Sequence, residues 1–382
     1  MIANWKNYLL IISSTFIVLL FIEIFVNFYF KGGLNIWQKE SHYLAINKKD
    51  PNNYINSDFF DKDLGWDTRV NPYSQKTGNK ETNYIAQSYG DSFIQSGWQK
   101  TGKTWQSQFL ENTGEGILNF GSGGYGLDQA ILKFEKYGAN FLSKENTKYV
   151  FLGLYEQTFR RSLSHYSYYY FDNSMSWVFA FKPRFVFKNG QFELLKLPCK
   201  NADCLMQELS DYNSITNNYV RQYDYWYNKE QTQPALSFPK IVSYLKAIPH
   251  YIQNRLQRNY QRPFLFVNDE SIELTKYLIQ RFNNQSIKLG MTPVMLLLYS
   301  KYGLDGILNN KREDEWFFEF FKKNDINYID TSIMFTRYIR NNGTMINLFV
   351  EDGHYNDKGD SLVAASIKNY FNQSSKNNSL IR

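Results

Sequence analysis

Residues 84–97 read YIAQSYGDSFIQSG. An apolar run of strand character, Tyr84 to Tyr89, ends abruptly in Gly90-Asp91-Ser92. A glycine, an acid and a hydroxyl at a strand tip have two explanations. A capped turn accounts for them locally, and a reactive serine accounts for them chemically. What surrounds the stretch decides between the two.

The same strand-then-helix rhythm recurs downstream. A helical pattern over 104–112 leads to the strand GILNF (116–120), which runs into GSGGYG. A helix is expected from about Asp128, read as its N-cap, with Ile131, Phe134 and Tyr137 on one face. YVFLGLY (149–155) is the third strand. After an interruption come a helix over 271–282, the strand TPVMLLLYS (292–300), a helix over 314–323, the strand INYID (326–330) and a last helix from about Asp360. Five continuous apolar runs separated by helices predict an α/β fold with a five-stranded parallel sheet covered on both faces. Sheets of this kind take their ligands outside the carboxyl ends of the strands.

Between residues 161 and 265 the rhythm stops. This insertion holds FKPRFVFKNGQFELLKLP, two alternating runs about Asn189-Gly190 that predict a hairpin. Its Tyr- and Gln-rich remainder reads as an inserted cap region. Tyr166 and Tyr168 to Tyr170 read as packing of that cap, with sugar stacking as the alternative. Residues 31–80 form a polar, irregular lead-in and 372–382 a polar tail.

The N-terminus is apolar. YLLIISSTFIVLLFI (8–22) carries no charge, and apolar character resumes after Glu23 as far as Phe30. That length is enough to cross ~30 Å of hydrocarbon as a helix. A cleaved signal peptide is the rival, but the run is long for an h-region and no small-x-small site precedes Lys31. Residues 1–30 are therefore expected to be a single-pass transmembrane signal anchor. The rest of the chain is then extracytoplasmic, in the periplasm or at the cell surface, and the membrane is one expected partner. Cys199 and Cys204 lack the spacing and His neighbours of a zinc site. In an oxidising compartment they form a small disulfide loop, with two free thiols as the alternative. The net charge of +7 is spread thinly, with no basic run beyond pairs such as Arg160-Arg161, so no nucleic-acid partner is expected. Those two arginines read as a solvated face, with an anionic substrate as the alternative. The 18% aromatic content fits sugar-stacking surfaces, but AT-rich codon usage explains it as well.

The expected strand ends carry the chemistry. Gly90-Asp91-Ser92 follows the first strand, and a glycine cluster from Asn119 to Gly126 the second. Glu156-Gln157-Thr158 follows the third, and Glu351-Asp352-Gly353-His354 precedes the last helix. Of the four histidines, only His354 sits beside carboxylates at such a transition. A serine becomes a nucleophile when a neighbouring base takes its proton and an acid fixes that base. Glycine amides and a carboxamide can hold the resulting oxyanion. No cluster with metal-ligand spacing is visible, and no cofactor is expected.

These motifs resemble the SGNH (GDSL-type) hydrolase family: GDSF at 90–93, NFGSGGYG at 119–126 and DGHYNDKG at 352–359. The resemblance covers about 84–160 and 270–371, within a hydrolase-like region of 81–371. It implies a flavodoxin-like three-layer α/β/α sandwich with Ser92 as nucleophile and His354 as base. The Ser92 and Gly124 amides would be the oxyanion donors. Two positions depart from the family pattern. Its third block usually carries Asn, where this chain has Gln157, whose extra methylene requires a shifted loop. Its acid usually lies three residues before the histidine, which is Glu351; Asp352, two before, is the preferred candidate here. The expectation is an anchored serine esterase acting on an acylated, in the first instance O-acetylated, carbohydrate or envelope glycan. An O-acyltransferase using the same residues is one alternative, and an inactive glycan-binding or assembly protein is another. An active site requires Ser92 Oγ within about 3.2 Å of a His354 nitrogen.

Overall fold

The apolar runs pair into one parallel sheet in a computed structural model of the chain. It describes residues 3–29, 60–67, 71–73, 82–97, 101–165, 182–197, 200–201, 204, 223–225 and 269–379. The chain divides into two units, Met1–Tyr54 with Met206–Gln261 and Ile55–Leu205 with Arg262–Arg382. The smaller unit contains α1 (Ala3–Tyr29). An 18-residue window within it, Asn7–Ile24, has a mean hydropathy of 2.0, long and apolar enough to cross a membrane.

The larger unit begins with two short strands, β1 (Phe60–Asp61) and β2 (Gly65–Trp66). There follow β3 (Asn83–Tyr89), α2 (Ser92–Gln95), α3 (Trp105–Thr113), β4 (Glu115–Asn119), α4 (Leu127–Glu145), β5 (Tyr149–Leu154) and α5 (Glu156–Arg161). The hairpin β6 (Arg184–Lys188) and β7 (Gln191–Leu195) comes next. After it come α6 (Asp269–Lys288), β8 (Thr292–Leu297), α7 (Lys301–Leu308), α8 (Glu315–Lys323), β9 (Tyr328–Asp330), α9 (Ser332–Asn342) and α10 (Asp357–Ser379). The sheet order is β4-β3-β5-β8-β9, every pair parallel. Counting only these strands, that is the flavodoxin-like order 2-1-3-4-5, whose switch point lies between β3 and β5. Val150, Phe151, Leu152 and Leu154 of β5, and Val294 to Leu297 of β8, are fully buried, as strands covered on both faces must be.

Local chemistry moves some expected boundaries. α4 is capped at Gly126, not Asp128, because Gln129 Oε1 accepts the Gly126 N–H at 3.1 Å. Asp128 lies in the first turn, buried, and pairs with Lys182. Ile131 and Phe134 are fully buried and Tyr137 half-buried, so the predicted face is the one that packs. α10 starts at Asp357, not Asp360, because Asn356 Oδ1 accepts the N–H groups of Lys358 and Gly359. It runs to Ser379, through residues read as tail. The predicted hairpin forms about Asn189 (φ 52°) and Gly190 (φ 83°), the two left-handed residues of a type I′ turn. Cys204 is disulfide-bonded; Cys199 lies outside the described residues. So do Tyr166 and Tyr168 to Tyr170.

The lead-in is less irregular than its composition suggests. Leu64 and Trp66, around the two-residue ladder of β1 and β2, are buried in the core. Trp66 Nε1 donates to the Gly123 carbonyl at 3.0 Å, and Tyr125 Oη donates back to the Trp66 carbonyl at 2.6 Å. Asp67 takes Lys133 Nζ at 2.6 Å. This piece of lead-in therefore braces the glycine-rich loop after β4.

Candidate active site

Ser92 is the first residue of α2, directly beyond the carboxyl end of β3 at the switch point. Gly90 is required by contact and not by turn geometry, since a Cβ there would lie 2.4 Å from Ile94 Cγ1. Asp91 caps the short helix, its Oδ1 accepting the Phe93 N–H at 3.0 Å. Its Oδ2 accepts from Arg161 Nη1 at 2.9 Å, in an ion pair whose side chains are both buried. Burial pushes the Asp91 carboxyl up, against the opposing pull of the Arg161 guanidinium. Arg161 is therefore neither a solvated residue nor open to an anionic ligand: it faces inward and holds the serine loop.

The histidine comes from a part of the chain 262 residues further on. His354 Nε2 lies 2.9 Å from Ser92 Oγ, and His354 Nδ1 lies 2.9 Å from Asp352 Oδ1. The same Asp352 oxygen accepts the His354 backbone N–H at 3.0 Å. Burial raises the Asp352 carboxyl, but the backbone N–H and imidazole of His354 outweigh it and hold it below its ordinary value. Between the two candidate acids, then, Asp352 is the one in contact with the imidazole. The loop is fixed by its neighbours. Tyr355 Oη donates to the Tyr299 carbonyl and accepts the Tyr299 N–H, both at 2.8 Å, pinning it beyond the end of β8. Ser96 Oγ donates to the buried Asp360 at 2.7 Å, tying the end of α2 to α10. The Phe93 ring stacks on Tyr155 and lies 5.3 Å from the His354 ring centre.

The glycine-rich loop packs directly on α2. A Cβ on Gly121 would lie 2.1 Å from the Gln95 nitrogen, so only glycine fits. Ser122 N–H donates to the Gly90 carbonyl at 3.0 Å, fastening this loop to the one that carries Ser92. Gly124 sits further along it with φ 78°. Gln157 is half-buried in the first turn of α5, and its Oε1 accepts from Arg161 Nη2 at 2.6 Å. The arrangement thus offers a hydroxyl within hydrogen-bond reach of an imidazole whose other nitrogen is held by a carboxylate. That is the geometry for taking a proton from an alcohol and storing the positive charge.

Three contacts around the site escaped sequence reasoning, two of them made by residues the sequence had already singled out. Glu156 lies at the carboxyl end of β5, buried, with Oε1 accepting from Ser300 N–H (3.1 Å) and Ser300 Oγ (2.8 Å). Burial pushes its carboxyl up to about 8, against the pull of those two donors. Arg161 was legible only as the partner four residues beyond Gln157, the spacing that aligns side chains on a helix. The Tyr299–Tyr355 link had no local signal. Among the described residues no group of three or more His, Cys, Asp or Glu side chains could hold a metal ion.

No family model matches the chain, and no curated protein matches it. Among solved structures, it is similar to a member of the lipolytic protein G-D-S-L family from Veillonella parvula DSM 2008, with a TM-score of 0.34 and 11% identity. That match covers 76% of this chain and 98% of the other. A G-D-S-L family protein from Desulfitobacterium hafniense DCB-2 gives a TM-score of 0.34 and 10% identity, over 75% of this chain and 98% of that one. At these scores neither likeness bears on activity or site roles, which stand on this chain's own residues and distances.

Proposed function

We propose that this chain is a serine ester hydrolase of SGNH (GDSL) type, with its active site at the β3/β5 switch point. The observation that carries the proposal is the pair of 2.9 Å contacts linking Ser92 Oγ, His354 and Asp352. His354 Nε2 takes the Ser92 proton as Oγ attacks the ester carbonyl. The oxyanion is received by the Ser92 and Gly124 amides and by Gln157 Nε2. Collapse breaks the ester C–O bond, and the departing alkoxide takes the proton from His354. Water, deprotonated by the same imidazole, then releases the acid from the acyl-serine.

The substrate we assign is an O-acetylated carbohydrate of the cell envelope. The apolar helix α1 supports this assignment, because a signal anchor would hold a hydrolase-like region, 81–371 with its insertion at 161–265, outside the cytoplasm beside such a polymer. The test is acetate release from O-acetylated polysaccharide by the full chain in detergent micelles. Release lost in His354→Ala is expected. A folded wild type that releases no acetate from any acetylated glycan, while cleaving a small aryl ester, would reject the carbohydrate and keep the esterase. Acetate appearing on an added sugar instead of in solution would identify a transferase.

A further inference from the structure

Resting on the proposal that Ser92 attacks an ester carbonyl, we infer that Arg161 is a positioning residue that makes Gln157 a hydrogen-bond donor to the oxyanion. A carboxamide has one accepting and one donating end, and a guanidinium can only donate. The Gln157 atom 2.6 Å from Arg161 Nη2 is therefore its oxygen. Fixing that oxygen fixes the amide plane and with it Nε2, for which no described residue serves as acceptor. The clamp is local: Gln157 and Arg161 are four residues apart on α5 and share one face.

Arg161 is itself held from two further sides. Nη1 donates to Asp91 Oδ2 at 2.9 Å and to the Tyr125 carbonyl at 3.3 Å. One buried guanidinium thus touches the residue before Ser92, the residue after Gly124, and the side-chain amide of Gln157. These are the three segments that supply the proposed oxyanion donors. A donor stabilises a transition state most when it is oriented in advance, because no reorganisation is then needed as charge develops. A glutamine has one more rotatable bond than an asparagine and is the poorer choice unless something holds it. Arg161 removes that freedom, which accounts for how a longer side chain can serve where the family pattern has a shorter one.

The experiment uses the full chain in detergent with p-nitrophenyl acetate. Gln157→Glu keeps an acceptor facing Arg161 but has no N–H, so kcat should fall by about 10²–10³ with KM nearly unchanged. Arg161→Lys keeps a positive charge near Asp91 but cannot hold both partners. It should lower kcat by about tenfold or more alone, and cause no further loss in the Gln157→Glu background. If Arg161→Lys does not fold, Gln157→Glu and Gln157→Leu carry the test. Both should lose kcat alike, while Glu holds or raises Tm against the guanidinium and Leu lowers it. Wild-type kcat in Gln157→Glu, multiplying losses in the double variant, or equal Tm in the Glu and Leu variants would each overturn the inference and leave the esterase reading intact. Wild-type turnover no greater than that of Ser92→Ala would overturn both.

Discussion

Glu156 makes this fold less stable as pH rises, by an amount the structure allows to be worked out. Its carboxyl ionises at about 8 in the folded chain, against 4.5 for the free group. Because the folded value is raised, the folded state keeps a proton that the unfolded state releases. The associated stability is fully present below about 4.5 and is lost as pH rises through about 8. At 1.36 kcal/mol per pH unit, the loss between pH 5 and pH 9 amounts to about 4 kcal/mol. Glu156→Gln keeps an oxygen for the two Ser300 donors and cannot ionise, so it should escape that loss. The assay is urea unfolding of wild type and variant in detergent at pH 5, 7 and 9. The other titrating groups are common to both proteins and cancel in the comparison. The variant should match wild type within about 1 kcal/mol at pH 5 and exceed it by several kcal/mol at pH 9. Parallel stability curves across that range would mean that Glu156 ionises alike in both states, contrary to this expectation.

Three further predictions concern the residues around Ser92. Asp352→Asn should lower kcat by about 10²–10⁴ at neutral pH, since an amide no longer fixes the imidazole tautomer; Glu351→Gln, altering the rival acid, should stay within about twofold of wild type, and the reverse ranking in steady-state kinetics would reassign the acid. Gly121→Ala places a methyl against the Gln95 backbone, so it should cost about 3 kcal/mol or more. An unchanged Tm would contradict the packing of the glycine loop on α2. Asp91→Asn strips the carboxylate from a buried guanidinium and should cost about 3–5 kcal/mol in denaturant unfolding, whereas an exposed pair would cost under about 1 kcal/mol.

The sheet was legible because each strand is buried on both faces, so Tyr149–Leu154 and Thr292–Leu297 had to be unbroken apolar runs. The hairpin was legible from Asn189-Gly190, because few sequences other than this one accept two consecutive left-handed residues. Ser92 stood out because it directly follows the β3 run, where such a sheet puts its ligand edge. His354 lies in the loop between α9 and α10 and not at a strand end, and it was singled out by the carboxylates beside it before the last helix. What escaped was set by contacts distant in sequence. Nothing around Trp66 announces that its indole will brace Gly123, because the lead-in is polar on either side. Nothing around Arg161 announces its pairing with Asp91, seventy residues earlier. A basic pair on a short helix reads as solvated surface until a buried carboxylate is brought to meet it. α7 and α9 were missed for another reason: KYGLDGIL carries two glycines, and SIMFTRYIRNN mixes polar and apolar residues, so neither shows a strong helical stripe.

If His354 activates Ser92, covalent labelling reads that activation out at the serine itself. The full chain in detergent is treated with a fluorophosphonate, and the modified peptide is located by mass spectrometry in wild type, Ser92→Ala and His354→Ala. A 2.9 Å contact between Ser92 Oγ and His354 Nε2 predicts one label, on Ser92, lost in both variants. A folded wild type that takes no label, or one whose labelling survives His354→Ala undiminished, would contradict it.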